Sequence, residues 1–210
     1  MKKLLFVLVA LVMCVESSLA EGPTFDCGKA QGEVEKTICG DASLAVLDRK
    51  LDEVYKAAAA KASGKLATTL RAEQRGWVKG RNDCWKANGS QTWITATWTV
   101  DSVRGCIEAQ YKLRSSELQS VWRLVPPKTV SYACQNNPAN EVVANYFETD
   151  PATIRLERGD RTVTMWLVGV PSDGKYEGQN VSLEHKGNQL KVSWLNTDTG
   201  ETDELSCVER

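Results

Sequence analysis

The chain has a single histidine, His185, in 210 residues, and that scarcity removes most of the side-chain chemistry enzymes rely on. A Ser-His-Asp or Cys-His arrangement has to recruit His185, which stands beside Lys186. No close Cys-x-x-Cys pair is present, so a structural zinc site lacks its usual ligands. A phosphate-binding loop and a dinucleotide fingerprint are also missing, and no cofactor is expected. The apolar run 4–15 falls short of the roughly 20 residues that span a membrane. Net charge is −1, and no basic patch interleaved with aromatics calls for nucleic acid. The carboxylates Asp48, Asp52, Glu73 and Asp83 stand among Arg and Lys at helical spacing, the pattern of a solvated, salt-bridged face. No catalytic residue is expected.

What the chain does have begins with an export signal. Lys2 and Lys3 precede the apolar run, and Ser18-Leu19-Ala20 forms a small-residue cleavage pattern, so residues 1–20 read as a secretory segment. The expected location is periplasmic or secreted. The alternative is a lipid anchor at Cys14, although the bulky Met13 departs from the small residue that lipoprotein processing uses. Beyond the signal remain Cys27, Cys39, Cys84, Cys106, Cys134 and Cys207, an even set that reads as a disulfide framework in an exported chain.

The sequence changes character at residues 122–128, WRLVPPK. Before it Ala, Leu, Lys, Arg and Gln dominate; after it Val, Thr, Ser, Asn and Gly do. Pro126-Pro127 cannot continue a helix and favours an extended linker. The expectation is an α+β chain of two domains, a disulfide-bonded helical bundle over 21–125 and an antiparallel β-barrel over 129–210, joined by a linker at 126–128.

In the first half, 33–39 reads as a short helix ended by Gly40. Asp41-Ala42-Ser43 then offers caps for a second helix, where Leu44, Leu47, Leu51, Val54 and Tyr55 form one face. A third helix from Lys65 carries Leu66, Leu70, Trp77 and Val78 on its stripe. A fourth, from Asp101 or Ser102, carries Val103, Cys106, Ile107, Tyr111, Leu113, Leu118 and Val121. Between the last two, Trp85, Trp93 and Trp98 lie in a Thr-rich stretch and either cover one end of the bundle or form an aromatic binding surface.

Phe25-Asp26-Cys27, Glu35 to Cys39, Leu44 to Asp48, Tyr55, Leu70 to Trp77, Arg81 to Cys84 and Cys106-Ile107 together resemble the helical domain of LprI-type lysozyme inhibitors. The order and spacing hold over nearly the whole segment. Gly76 and Gly80 depart from the usual helix formers there, each costing roughly 1 kcal/mol against Ala. A Cys84–Cys106 bridge closes the Trp-rich loop and leaves Cys27 with Cys39, while crossed pairings remain open.

In the second half, strands are expected at 129–134, 141–147, 153–157, 162–168, 179–185, 189–195 and 204–208, with a turn at Asn136-Asn137-Pro138 among the breakers between them. Short strands at this spacing suit a small sandwich or barrel. Cys134 and Cys207 lie in the first and last strands, and a bridge between them is worth roughly 4 kcal/mol by loop-closure reasoning. Trp166 and Trp194 are assigned to the barrel core.

The run Ser172-Asp173-Gly174-Lys175-Tyr176, with Lys186-Gly187 after it, resembles the membrane-bound and periplasmic inhibitors of c-type lysozyme, with the glycine of the first element one place late. Tyr132-Ala133-Cys134 and Ser206-Cys207 extend that resemblance over this half. It implies an antiparallel barrel whose Ser172 loop and Lys186 turn enter a lysozyme cleft. Tyr176 is expected to support the first loop beneath Gly174 and Gly178, with Gly187 forming the second turn. A hydroxyl donor and a cation suit the paired carboxylates of such a glycosidase. Read alone, Ser172 and Lys186 are ordinary turn residues.

Charge runs the same way. Residues 126–210 hold 13 acidic and 8 basic groups, net −5, while 21–125 hold 13 and 16, net +3. An acidic module is steered towards a basic partner, and the expected partner is c-type lysozyme. The rival expectation is a non-inhibitory envelope adaptor that binds protein or glycan, with the Trp-rich stretch as its surface.

Overall fold

In the computed structural model the chain is described over residues 21–89, 91–93, 99–197 and 199–210. The expected export signal with Cys14, and Trp98 of the Trp-rich stretch, lie outside the described residues.

Four helices build the first half: α1 (Glu33–Gly40), α2 (Ala42–Lys61), α3 (Gly64–Asn82) and, after the two-residue strands β1 (Thr92–Trp93) and β2 (Thr99–Val100), α4 (Val103–Val121). Asp41 starts α2 by accepting from the amides of Ser43 (2.8 Å) and Leu44 (3.1 Å), and its other oxygen takes Arg104 Nε of α4 at 2.8 Å. Ser102 caps α4 through Gly105 N. The core collects Ile38, Leu44, Leu51, Leu70, Ile107, Tyr111 and Leu118. The α3 stripe is narrower than its sequence suggests. Leu70 is buried and Trp77 packs at the core edge, while Leu66 and Val78 face solvent. Val121 is likewise exposed.

Asp48 corrects the solvated-face reading. It is buried, its Oδ1 accepting from the Tyr111 hydroxyl at 2.7 Å and its Oδ2 from Thr24 N at 2.7 Å and Thr24 Oγ1 at 2.6 Å. Arg81, also buried, donates to the Tyr111 oxygen at 2.8 Å and lies 3.9 Å from Asp48. Helical spacing shows a carboxylate among bases but not that Tyr111 and Thr24 close over it. Of the other carboxylates of that group, Asp52 pairs with Lys56 and Asp83 with Lys86 at the surface, each worth little on its own, while Glu73 lies 3.8 Å from the buried Arg114.

The second half is a closed antiparallel barrel of eight strands: β3 (Lys128–Cys134), β4 (Asn137–Phe147), β5 (Thr153–Arg158), β6 (Arg161–Leu167), β7 (Lys175–Gly178), β8 (Val181–Lys186), β9 (Gln189–Leu195) and β10 (Thr202–Glu209). Each strand pairs with the next, and β10 returns to β3. Inward positions alternate along the strands and supply Val142, Ala144, Ile154, Leu156, Met165, Leu183, Leu190, Val192, Trp194 and Leu205.

Two strand expectations change. The first hairpin turns at Gln135 and Asn136, both with positive φ (54° and 55°), as a two-residue type I′ turn requires. Strand β4 therefore already begins at Asn137, and the register steps from Ala133↔Glu141 to Cys134↔Asn137, so Pro138 falls in a bulge where no ladder donor is needed. The expected strand 179–185 is instead β8, and residues 175–178, read as loop, form the eighth strand, β7.

Among the described residues three disulfides are present: Cys27–Cys39, Cys84–Cys106 and Cys134–Cys207. The last joins direct register partners of β3 and β10, the seam where the barrel closes.

Helix α4 also packs against the outside of β5 and β6. Trp166 corrects its core assignment: its neighbour Met165 takes the inward place, and Trp166 faces outward with its indole N–H donating to Ser116 Oγ at 3.0 Å. Arg155 reaches the Val121 carbonyl at 3.1 Å, and Lys112 and Arg123 approach Asp150 (3.8 Å) and Glu157 (3.9 Å). Among the described residues no helix is long and apolar enough to cross a membrane.

The amide of Leu44, with the Arg104 guanidinium assisting, holds the Asp41 carboxyl below its ordinary value of 3.8 against partial desolvation. Its stabilisation is therefore present above that value and lost as the pH falls through the lower folded-state one. Asp41→Ala is expected to cost about 1 kcal/mol of unfolding free energy near neutral pH. The difference from the parent should shrink as the pH falls below 3.8 in urea titrations.

Candidate functional site

The expected site residues are set by how β7 and β8 meet. Their register runs from Gly178↔Val181 to Lys175↔Glu184, and one step further His185 N donates to the Gly174 carbonyl at 2.9 Å. Gly174 has φ +59°, and a Cβ there would lie 2.2 Å from the His185 carbonyl oxygen. Only glycine tolerates both the left-handed backbone and that approach. The chain before it, Pro171–Asp173, makes one 3-10 turn closed by Gly174 N to Pro171 O. The Ser172 loop is thus pressed onto the end of β8.

Lys186 is the last residue of that strand, opposite Gln189. Gly187, at φ +62°, begins the two-residue turn into β9. Ser172 and Lys186 therefore share one end of the barrel, with the loops folded back beside each other. Both side chains are exposed. The Ser172 hydroxyl has only a long contact to Asp173 Oδ1, 3.5 Å. Lys186 makes no ion pair among the described residues. A hydroxyl and an ammonium thus stand on loops at one strand end, largely uncommitted.

Tyr176 is the second residue of β7. It points into the barrel, packs on the core and meets Tyr146 edge-on with centroids 6.5 Å apart. Tyr146 and Tyr132 share a hydroxyl hydrogen bond of 2.9 Å, and the His185 ring lies 5.6 Å from Tyr146 and 6.4 Å from Tyr132. This cluster of Tyr132, Tyr146, Tyr176 and His185 forms a plug under the two loops, and sequence reasoning missed it. The signal was available, because each of the four continues the inward alternation of its strand. Burial pushes the hydroxyls of Tyr132, Tyr146 and Tyr176 upward, so they stay neutral. Support for Ser172 comes from the Gly174–His185 contact, with Tyr176 fixing β7 from inside.

The helical half holds a cavity of about 450 Å³ lined by Phe25, Leu51, Tyr55, Trp77, Asp48 and Arg81 among others. Its charged floor is the Asp48–Tyr111–Arg81 network, already satisfied internally. Of the Trp-rich surface, Trp85 is half-exposed beside Lys86.

Replacing Gly174 by Ala is expected to destabilise the barrel by about 1–3 kcal/mol and to release the His185 amide to faster exchange. Gly187→Ala meets open space and adds only the backbone penalty, roughly 1 kcal/mol. Thermal unfolding and amide exchange read both, and equal effects would show that the His185 contact does not hold the loop.

Residues 27–118 match the family model of the lysozyme inhibitor LprI, and residues 132–200 match that of the membrane-bound lysozyme inhibitor of c-type lysozyme, MliC. No curated protein and no solved structure matches the chain.

Proposed function

From a chain that carries an LprI-family segment followed by an MliC-family segment, we propose an exported inhibitor of c-type lysozyme that acts from the periplasm or outside the cell. The barrel presents the Ser172 loop and the Lys186 turn to the lysozyme cleft. Ser172 donates a hydrogen bond to the catalytic carboxylates, and Lys186 pairs with the ionised one. The protein itself performs no catalysis; it occupies the cleft and so stops peptidoglycan hydrolysis.

The observation that carries this reading is the seating of Gly174 on His185, which brings Ser172 and Lys186 to one strand end. Both groups are exposed, and their preorganisation lowers the ordering cost of binding. The tyrosine plug adds a rigid support beneath them. The net −5 of residues 126–210 favours encounter with a basic enzyme.

Inhibition of a c-type lysozyme by the mature protein, beside Ser172→Ala, Lys186→Ala and the double variant, tests the proposal. The double variant is expected to raise the inhibition constant by roughly a hundredfold or more, the Lys186 change contributing the larger part. Association with the parent protein should slow as salt rises. Full inhibition by a correctly oxidised double variant would move the activity out of the barrel loops. No inhibition by the parent would leave the envelope-adaptor reading.

A further inference from the structure

At the barrel end opposite Ser172 and Lys186, β7 stops at Gly178 and β6 continues to Arg161 without cover. The result is a cleft of about 480 Å³ between α4 and the barrel, lined by Glu117, Thr162, Thr164, Trp166, Gln179 and Asn180 among others. That volume falls within the range of small-ligand sites.

The wall is built around Trp166. Its indole N–H is committed to Ser116 Oγ, and Ser116 in turn donates to the Leu113 carbonyl at 3.0 Å, so the ring is pinned and offers an apolar face. Thr162 and Thr164 occupy the next outward positions of β6, spaced about 7 Å apart along the strand. The facing wall is the β7–β8 turn, where Gln179 and Asn180 are exposed and the Asn180 carbonyl accepts from Leu195 N at 2.8 Å. On the helix side the Glu117 carboxylate is held by Arg114 at 2.8 Å.

The chemistry of these groups is specific. Hydroxyls and carboxamides both donate and accept hydrogen bonds, as a ligand with many hydroxyls needs. A fixed indole face packs by dispersion against a flat array of C–H groups. Glu117 is already paired with Arg114, and the hydroxyls, carboxamides and indole beside it are uncharged, which suits a neutral ligand. We infer that this cleft is a subsite for a neutral oligosaccharide, one pyranose ring lying on Trp166 with its hydroxyls bonded by Thr162, Thr164, Gln179 and Asn180. Its Gln179–Asn180 wall lies at the far end of β7 and β8 from Ser172 and Lys186, so the two can be filled together.

The test titrates the full mature chain, without lysozyme, with chitotriose and with maltotriose, followed by the indole N–H resonance assigned to Trp166. Saturable shifts with at least one sugar are expected, and the stronger of the two reports the preferred sugar type. Thr164→Val and Gln179→Ala should each weaken binding about fivefold, the loss of one hydrogen bond. Lysozyme inhibition by the same variants should equal that of the parent, so failure here and failure of the inhibitor reading are separately visible. No saturation with either sugar, or parent-level affinity in both variants, overturns the assignment.

Discussion

A helix that must be buried from two sides sets the rest of this structure. Eleven of the nineteen residues of α4 are buried, more than a single apolar stripe supplies. Ile107, Tyr111 and Leu118 fill the helical core, while Ser115, Ser116 and Ser120 are small enough to be buried with it. Serine is a modest helix former, but here it gives small volume and, in Ser116, a hydroxyl for the Trp166 indole. The same helix supplies Cys106 to one bridge and Tyr111 to the Asp48–Arg81 network. Removing the Ser116 or Tyr111 hydroxyl leaves a polar partner unsatisfied, the costly side of hydrogen bonding.

The barrel meets a different constraint. A sheet of eight short strands has two edges to hide, and pairing β10 with β3 removes both. The Cys134–Cys207 bridge fixes that seam covalently. Closure leaves the two ends to be filled, and at one end four rings do so. Tyr132, Tyr146 and Tyr176 keep their hydroxyls neutral because burial disfavours the phenolate. His185 serves twice, with its ring in this plug and its backbone under Gly174.

Where burial follows a simple period, the chain announces its fold. The Leu44-Leu51-Val54 face and the 189–195 strand are legible because one face of each meets a core. Legibility fails where a residue's surroundings come from elsewhere in the chain. Trp166 reads as core by hydrophobicity, yet strand parity turns it towards α4, a neighbour that no local pattern reveals. Asp48 reads as surface because Thr24 and Tyr111 reach it from distant segments. Strand β7 is hidden by its flanking glycines, which look like loop but are demanded by close backbone approach, at Gly174 to His185. The candidate site was legible as two turns, though their adjacency depends on that same unread strand.

The contacts of Trp166, Arg155, Lys112 and Arg123 across the α4–barrel boundary bear on how the two halves meet a large target. Two modules on a loose tether behave as a bivalent ligand whose second contact depends on the effective concentration the tether provides. Here that role passes to fixed geometry. A target that touched both modules would give up its overall tumbling once, because the packing of α4 on β5 and β6 fixes the spacing between them.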